Sequence, residues 1–327
     1  VTAWVSHKRS RVTGGLPAPP QPPDYLVAVA DMQPATGANV PPQVVSAQVR
    51  ALNPAPALVL FPGDITNDGT TAEYTIWDGY YGSTFGTKCQ PAPGNHDHAP
   101  NGDPANTPTN LAAYNTYFGA QAHSGATPPS FYSFDTPAGW HIISLDSGTQ
   151  WIGSVANPST TYTALAADLA ANAGKPLAAF WHHPRWSDGT ATADPGGTGD
   201  CTEVGDLWNL LYDNHCDLVL NGHCHSYQRF PKLGKTGSAD AAGIREFVVG
   251  TGGSGLHTLT GPGRADVNSY QVAAYDQVNS KWFGYFELWL YPHPHSYAWR
   301  FTSQNAAGSE SPGSVLDSGG PVASNQP

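Results

Sequence analysis

Short clusters of carboxylate, amide and histidine side chains punctuate this chain between residues 31 and 225, and most stand just beyond a short apolar run. They read Asp31-Met32-Gln33, Gly63-Asp64, Gly94-Asn95-His96-Asp97, His182-His183-Pro184 and Gly222-His223-Cys224-His225. The runs 25–30, 57–61, 177–181 and 218–220 precede four of them; the stretch before Gly94 is more polar. Short apolar runs bounded by turn residues have the pattern of buried strands. Polar groups just past strand ends are where an open α/β sheet gathers its ligands. The pattern therefore demands a sheet whose strand ends meet along one edge.

With 327 residues the chain can bury one large core or two modest ones. Only 12% of residues are charged while Gly (36) and Pro (30) are abundant, so long loops between strands are expected. A hydrophobic fraction of 39% excludes wholesale disorder. The formal charge of −11 gives no attraction to nucleic acid or to an anionic membrane. An anionic substrate would need local positive charge, which bound metal supplies. No apolar run approaches the ~20 residues that span a bilayer. Scarce lysine, plentiful Thr, Ser, Gly, Trp and Tyr, and a first residue Val1 give the expectation of a secreted monomer whose signal peptide has been removed. Disulfides are expected on the same ground. Cys89, Cys201, Cys216 and Cys224 allow three pairings, none of which the sequence assigns. A straight helix over 202–214 would hold Cys201 and Cys216 roughly 20 Å apart, beyond disulfide reach.

The pattern divides the chain into an extended proline-rich arm over 1–24, one folded domain over 25–303 and a polar tail over 304–327. Helices are expected at 42–52, 71–78, 111–118, 160–172 and 202–214. Strands are expected at 25–30, 57–61, 131–134, 140–145, 177–181 and 217–220. Further strands at 246–249, 282–290 and 296–301 follow without helices and read as antiparallel. Strand–helix alternation followed by consecutive strands implies sheets flanked by helices, the second of them mixed.

Taken in this order, the motifs D-x-x, GD, GNHD, H-x-P and GHxH resemble those of the calcineurin-like metallophosphoesterase superfamily, over residues 25–301. Segments 182–187, 222–230 and 245–253 most resemble secreted bacterial phosphoesterases of the purple-acid-phosphatase type. The resemblance implies an α/β fold, a four-layer αββα sandwich of two mixed sheets flanked by helices, with the metal site at the strand C-terminal ends. It implies a metal-dependent phosphoric ester hydrolase taking a small phosphorylated substrate, a monoester rather than a diester, attacked by a metal-activated hydroxide. Two divalent or mixed-valence ions are implied (Fe, Mn or Zn, with Ca or Mg possible at the first site).

Carried over by position, Asp64 would bridge the ions, Asp31 and His225 would bind the first, and Asn95, His182 and His223 the second. His96 would face the leaving oxygen as general acid or as a transition-state donor, with Asp97 holding that imidazole or another site group in orientation. Gln33 stands where many members have histidine, and Asn67 where purple acid phosphatases have tyrosine. Gln33, Asn67 or water would complete the first site, and an oxygen-rich site shifts preference from Zn toward Mn, Fe(II), Mg or Ca. Without the tyrosinate a purple colour is not expected. His183 and Arg185 are candidate substrate contacts, the first equally a support for the ligands, while for the second a surface position is the favoured reading. Trp186 is a candidate contact for a substrate's organic portion, and Tyr227 and Arg229 are expected to pack and orient the last metal loop. His98, His123, His293 and His295 read as ordinary loop histidines. The competing readings are an extracellular phosphodiesterase of the same fold and a non-catalytic binding protein with a degenerate first metal site.

Overall fold

The computed structural model describes residues 22–34, 40–187, 199–257, 283–304 and 314–326. The proline-rich run through 21, Trp282 and most of the loop 187–200 lie outside the described residues.

In the first half, strands β1 (Asp24–Ala28), β2 (Leu58–Pro62) and β3 (Cys89–Ala92) alternate with helices α1 (Pro41–Arg50), α2 (Thr71–Trp77) and the single turn α3 (Ser83–Phe85). Helices α4 (Asn95–His98) and α5 (Ala112–Phe118) lead to β4 (Tyr132–Asp135) and β5 (His141–Ser144). Then come α6 (Thr149–Ile152), α7 (Thr160–Ala171), β6 (Leu177–Phe180), α8 (Gly205–Asp213) and β7 (Leu218–Asn221). The remaining elements are strands: β8 (Tyr227–Leu233), β9 (Ile244–Val249), β10 (Phe283–Tyr291), β11 (Ser296–Gln304) and β12 (Ser314–Ala323).

These strands form two six-stranded sheets, ordered β12-β11-β10-β1-β2-β3 and β4-β5-β6-β7-β9-β8. Strands β1, β2 and β3 run parallel, as do β5, β6, β7 and β9; the other neighbours are antiparallel. The two-residue period of a strand sorts the side chains into layers. Leu26, Ala28 and Leu60 face Ile142, Ala178, Phe180 and Leu220 between the sheets. Val27, Val29, Val59 and Phe61 turn outward beneath Val45 and Val49 of α1, Tyr74 and Trp77 of α2 and Phe118 of α5. On the other side Ile143, Ala179, Val219 and Val248 lie under Leu165 and Leu169 of α7 and Leu207, Trp208 and Leu211 of α8. The result is the four-layer αββα sandwich of two mixed sheets.

Local signals explain the element ends. Proline fills the first turn of α1, where its missing N–H has no partner to lose. Thr70 and Glu73 form a reciprocal capping box at the start of α2. Helix α8 begins at Gly205 rather than 202, because 202–204 form the turn that feeds it.

Two expectations change. All four cysteines are free and buried, so the expected disulfides are absent. Each thiol packs as a small apolar group, and burial pushes Cys89 up to about 12 and Cys224 up to about 11. Within the polar stretch expected as a tail, Ser314–Ala323 pairs with β11 as an edge strand. Its glycines hide that pattern. A Cβ on Gly319 would lie 2.3 Å from the Trp299 ring, so the strand needs glycine in order to close on β11.

Candidate metal centre

The polar clusters converge at one edge of the sandwich. Asp31 follows β1, Asp64 follows β2, Asn95 follows β3, His182 follows β6, and His223 and His225 follow β7. These turns are tight. Asp31, Gln33, Asp64 and His223 all have left-handed backbone (φ 57°, 40°, 50° and 67°), uncommon for residues with a side chain and typical of functional sites held by their surroundings. Gly63 (φ 81°) shows how close the packing is: a Cβ there would sit 2.4 Å from His182 Nδ1.

Four donors meet at the first cluster. Asn95 Oδ1 lies 2.8 Å from His182 Nε2 and 3.0 Å from His223 Nδ1, which are 3.2 Å from each other. Asp64 Oδ1 is 3.3 Å from the same His182 Nε2. The neighbouring cluster is Asp31, Asp64 and His225, with ligand atoms all within 4.8 Å of one another and His225 Nε2 3.4 Å from Asp31 Oδ1. Asp64 belongs to both.

Tautomers test whether these groups suit a cation. His182 Nδ1–H donates to the Pro62 carbonyl and His225 Nδ1–H to the Gly255 carbonyl. Each neutral ring therefore turns an Nε2 lone pair toward the site, the orientation that outer hydrogen bonds impose on metal-binding imidazoles. At His182 that lone pair faces the oxygen of Asn95, a second acceptor, and two acceptors at that distance require a positive charge between or on them. The pKa directions carry the same demand. Burial disfavours a charged His182, but the Asp64 carboxylate outweighs it and raises the ring to about 10. Burial likewise opposes ionisation of Asp64, yet His182 and His96 hold it well below the usual carboxylate range. The residues fit a pair of metal ions.

The structure places His96 beside Asp64, with Nε2 3.9 Å from Asp64 Oδ2 and Nδ1–H donating to the Asn67 carbonyl at 2.8 Å. Asp97 does not orient that ring. Its buried carboxylate accepts from the N–H groups of Ile65, Thr66 and Gly94 and from the hydroxyls of Thr66 and Tyr74, so it knits the Asp64 turn to the Asn95 turn. Gln33 Oε1 accepts from Ser254 and its Nε2 lies 3.5 Å from His96 Nε2. The Asn67 carboxamide donates to Asp68 and Asn101, and it is the Asn67 backbone that serves the site, through His96.

A cleft of ≈ 360 Å³ opens over the clusters, bordered by Asp64, Asn95, His96, His223 and His225 and by Asn101–Pro104 of the following loop. His183 and Arg185 do not border it. His183 is buried beside His182 and His223, held by the Ser147 hydroxyl at 2.9 Å. Burial and the adjacent His223 push its pKa well below the usual range. The Arg185 guanidinium lies over the Trp186 ring, and buried Glu246 accepts the N–H groups of both residues. Trp186 is itself 4% exposed and packs edge-on against Trp208, so it is core and not a substrate contact. Tyr227 and Arg229 lie on β8 and bind Asp317 of β12. His98 is buried against Asp146 and stacks on Trp151.

Sequence reasoning passed over His257. It borders the cleft, and its ring stacks on His225 at 4.0 Å and 16°. The available signal was its position: it follows the glycine-rich segment after β9, another parallel strand ending at this edge.

Comparison with known proteins agrees with this geometry. The sequence model of the calcineurin-like phosphoesterase family matches residues 27–227. Purple acid phosphatase 22 of Arabidopsis thaliana is 29% identical over 207 residues, 60% of this chain and 44% of that protein. Purple acid phosphatase 21 of the same plant is 30% identical over 204 residues, 60% of this chain and 43% of that protein. The chain thus spans less than half the length of these curated relatives. Among solved structures, purple acid phosphatase PPD1 from yellow lupin (Lupinus luteus) seeds superposes with a TM-score of 0.64 at 17% identity, over 90% of this chain and 53% of that one. GAP50, described as the anchor in the inner membrane complex of Plasmodium, gives 0.58 at 14% identity over 91% of this chain and 88% of that one. PhoD gives 0.54 at 12% identity over 93% and 70%. At these identities the structural likeness carries the fold.

Proposed function

The chain belongs to the calcineurin-like phosphoesterase family, and from that premise we propose that it hydrolyses phosphate esters, monoesters in preference to diesters, using two metal ions. The observation that carries the reading is the convergence of Asn95 Oδ1, His182 Nε2, His223 Nδ1 and Asp64 Oδ1, with neighbouring contacts of 2.8–3.3 Å, beside the cluster of Asp31, Asp64 and His225. Asn95, His182 and His223 would hold one ion, Asp31 and His225 the other, and Asp64 would lie between. Two bound cations would acidify a water to a nucleophile at neutral pH and offset the negative charge of the phosphoryl oxygens.

The remaining chemistry falls to the chain. The Asn67 carbonyl engages His96 Nδ1–H, so Nε2 is the atom at which His96 takes up a proton. That nitrogen lies 3.9 Å from Asp64 Oδ2 at the edge of the cleft, and a proton held on it would be donated to the leaving oxygen. Asp31 accepts the His223 N–H on both oxygens, at 3.0 and 2.9 Å, and so ties the two sites into one frame. The described residues bordering the cleft include no lysine or arginine, so anion recognition would rest on the metals and the imidazoles. The cleft's size suits a small phosphorylated substrate. Action as a monomer outside the cell belongs to the same proposal, on the composition and on relatives of the purple-acid-phosphatase kind; no described helix is long and apolar enough to cross a membrane.

The monoester preference leans on the names of the curated relatives, while the segment from Gly63 to Asn67 favours a diester. A fold neighbour described as an anchor and the departures at Gln33 and Asn67 motivate the binding-protein alternative, and the joint presence of Asp31, Asp64, Asn95, His96, His182, His223 and His225 opposes it. The test is steady-state hydrolysis of an aryl phosphomonoester and an aryl phosphodiester after loading with Mn, Zn or Fe. A higher kcat/KM for the monoester supports the proposal. An equal or higher value for the diester would make the protein a phosphodiesterase, and no turnover of either with any ion would favour the binding protein.

A further inference from the structure

The turn after His98 walls the cleft beside His96. A Cβ on buried Gly102 would lie 3.0 Å from His96 Nε2 and 2.1 Å from Asn95 Nδ2. An oxygen that takes a proton from His96 Nε2 must stand within hydrogen-bond reach of that nitrogen. The group attached to the oxygen therefore meets residues 101–104, which border the same cleft.

Hydrogen bonds tie this wall to the segment that sets His96. The Asn67 carbonyl accepts His96 Nδ1–H at 2.8 Å and Asn101 N–H at 3.1 Å. Asp68 Oδ1 shares the Asn101 N–H at 3.0 Å, and the Asn67 carboxamide donates to Asn101 Oδ1 at 3.3 Å. Asp103, two residues on, is thus carried at a set place beside the proton donor. It is exposed and borders the cleft. Its Oδ1 accepts the Ala105 N–H at 2.8 Å, and its other oxygen has no partner among the described residues. No described lysine or arginine borders the cleft to balance that charge.

We propose that Asp103 is a specificity-determining residue that favours phosphomonoesters whose alcohol carries an ammonium group over those whose alcohol is neutral or anionic. The inference rests on the phosphoester reading above and on the place which that reading gives the leaving oxygen at His96. The ammonium pairs with the free carboxylate oxygen, while a further anionic group on the alcohol is repelled. The pairing is exposed, so its effect is modest and weakens with salt.

The experiment compares metal-loaded wild type, Asp103→Asn and Asp103→Lys. Asparagine keeps an acceptor for the Ala105 N–H, so the turn is retained while the charge is removed; lysine reverses the charge. Metal content is measured on each sample. Calorimetry gives the affinities of 4-(aminomethyl)benzylphosphonate and 4-methylbenzylphosphonate, which differ in charge and hardly in size. Hydrolysis of 4-(aminomethyl)phenyl and 4-methylphenyl phosphate gives the matching ratio of kcat/KM. Wild type should bind the ammonium-bearing phosphonate about fivefold more tightly than the neutral one, the upper end for an exposed ion pair. Asp103→Asn should bring that ratio close to one, Asp103→Lys should invert it, and the ratio of kcat/KM should move in parallel. Raising the salt concentration should narrow the wild-type preference. A wild-type ratio near one overturns the proposal, as does a ratio that Asp103→Asn leaves unchanged. Loss of metal in both variants also overturns it, because Asp103 would then be a support for the Asn95–His96 turn. If metal-loaded wild type neither binds the phosphonates nor turns over ester, the phosphoester reading fails and takes this inference with it. That outcome is read from wild type alone and is distinct from an unchanged ratio in the variants.

Discussion

Replacing Asp97 with asparagine should unfold the base of the metal centre without touching a metal ligand. One carboxylate oxygen accepts from Thr66 N–H, Thr66 Oγ1 and Tyr74 OH at 3.1, 2.9 and 2.9 Å, and the other from Ile65 N–H and Gly94 N–H at 3.2 and 2.9 Å. Asparagine has a single acceptor oxygen. In its better orientation that oxygen keeps the first set, and its NH2 group confronts the N–H groups of Ile65 and Gly94. Two buried donors are then orphaned, at about 1–3 kcal/mol each. Part of the loss is recovered because burial and the Asp64 charge already push the Asp97 pKa up, so removing its charge relieves that strain. The net expectation is a loss of about 3 kcal/mol, read as the difference in urea unfolding free energy between metal-free wild type and Asp97→Asn. The Asp64 and Asn95 turns are the ones released, so the variant should also bind less metal. A variant within about 0.5 kcal/mol of wild type, the usual size of a neutral surface change, and with normal metal content would refute the structural role given to Asp97.

Other outcomes follow from the same contacts. His96→Ala should lower kcat by about a hundredfold or more, as loss of a general acid does, with metal content unchanged; retained turnover would remove the proton-transfer role. Trp186→Ala should lower stability by about 3–5 kcal/mol, as loss of a buried aromatic does, yet leave KM unaltered, because the ring packs on Trp208 and not in the cleft. Asp217 is buried, which raises its pKa from 3.8 to about 6 against the hydrogen bonds of Asn325 N–H, Ser324 and Leu177 N–H. Between those values the folded state binds more protons than the unfolded, so stability falls as pH rises through them. At about 1.36 kcal/mol per pH unit, that gap is about 3 kcal/mol. Asp217→Asn should therefore gain on wild type between pH 4 and about 6 in urea titrations, and a constant difference would contradict the assignment.

Much of the architecture was legible because ligand types cluster at strand ends. The runs before Asp31, Gly63, His182 and Gly222 are parallel strands, and their C-terminal ends do assemble the cluster. What could not be read was where side chains point. Asp97 adjoins His96 in sequence, but one residue along a helix is about 100° of rotation, enough to turn its carboxylate away from the imidazole and under the Asp64 turn. Trp186 follows the His182 motif but faces the helix layer, a choice made by Trp208 and Glu246 from distant segments. Strand β12 was hidden because its edge position tolerates glycine and polar residues, and its register is set by Trp299 and Tyr227 on other strands. His257 has no motif of its own and acquires its place through the long-range pairing with His225. The disulfide expectation treated cysteine as a marker of compartment, whereas each thiol here fills an apolar gap in the core.

Metal stoichiometry tests the central claim most directly. Elemental analysis of wild type, Asn95→Ala and Asp64→Ala after loading and gel filtration should give about two ions per chain in wild type, as a two-metal site requires. It should give about one in Asn95→Ala, which loses a donor at one site only, and fewer in Asp64→Ala, which loses the carboxylate common to both. One ion or none in wild type, or two retained in Asp64→Ala, would contradict a paired centre built around Asp64.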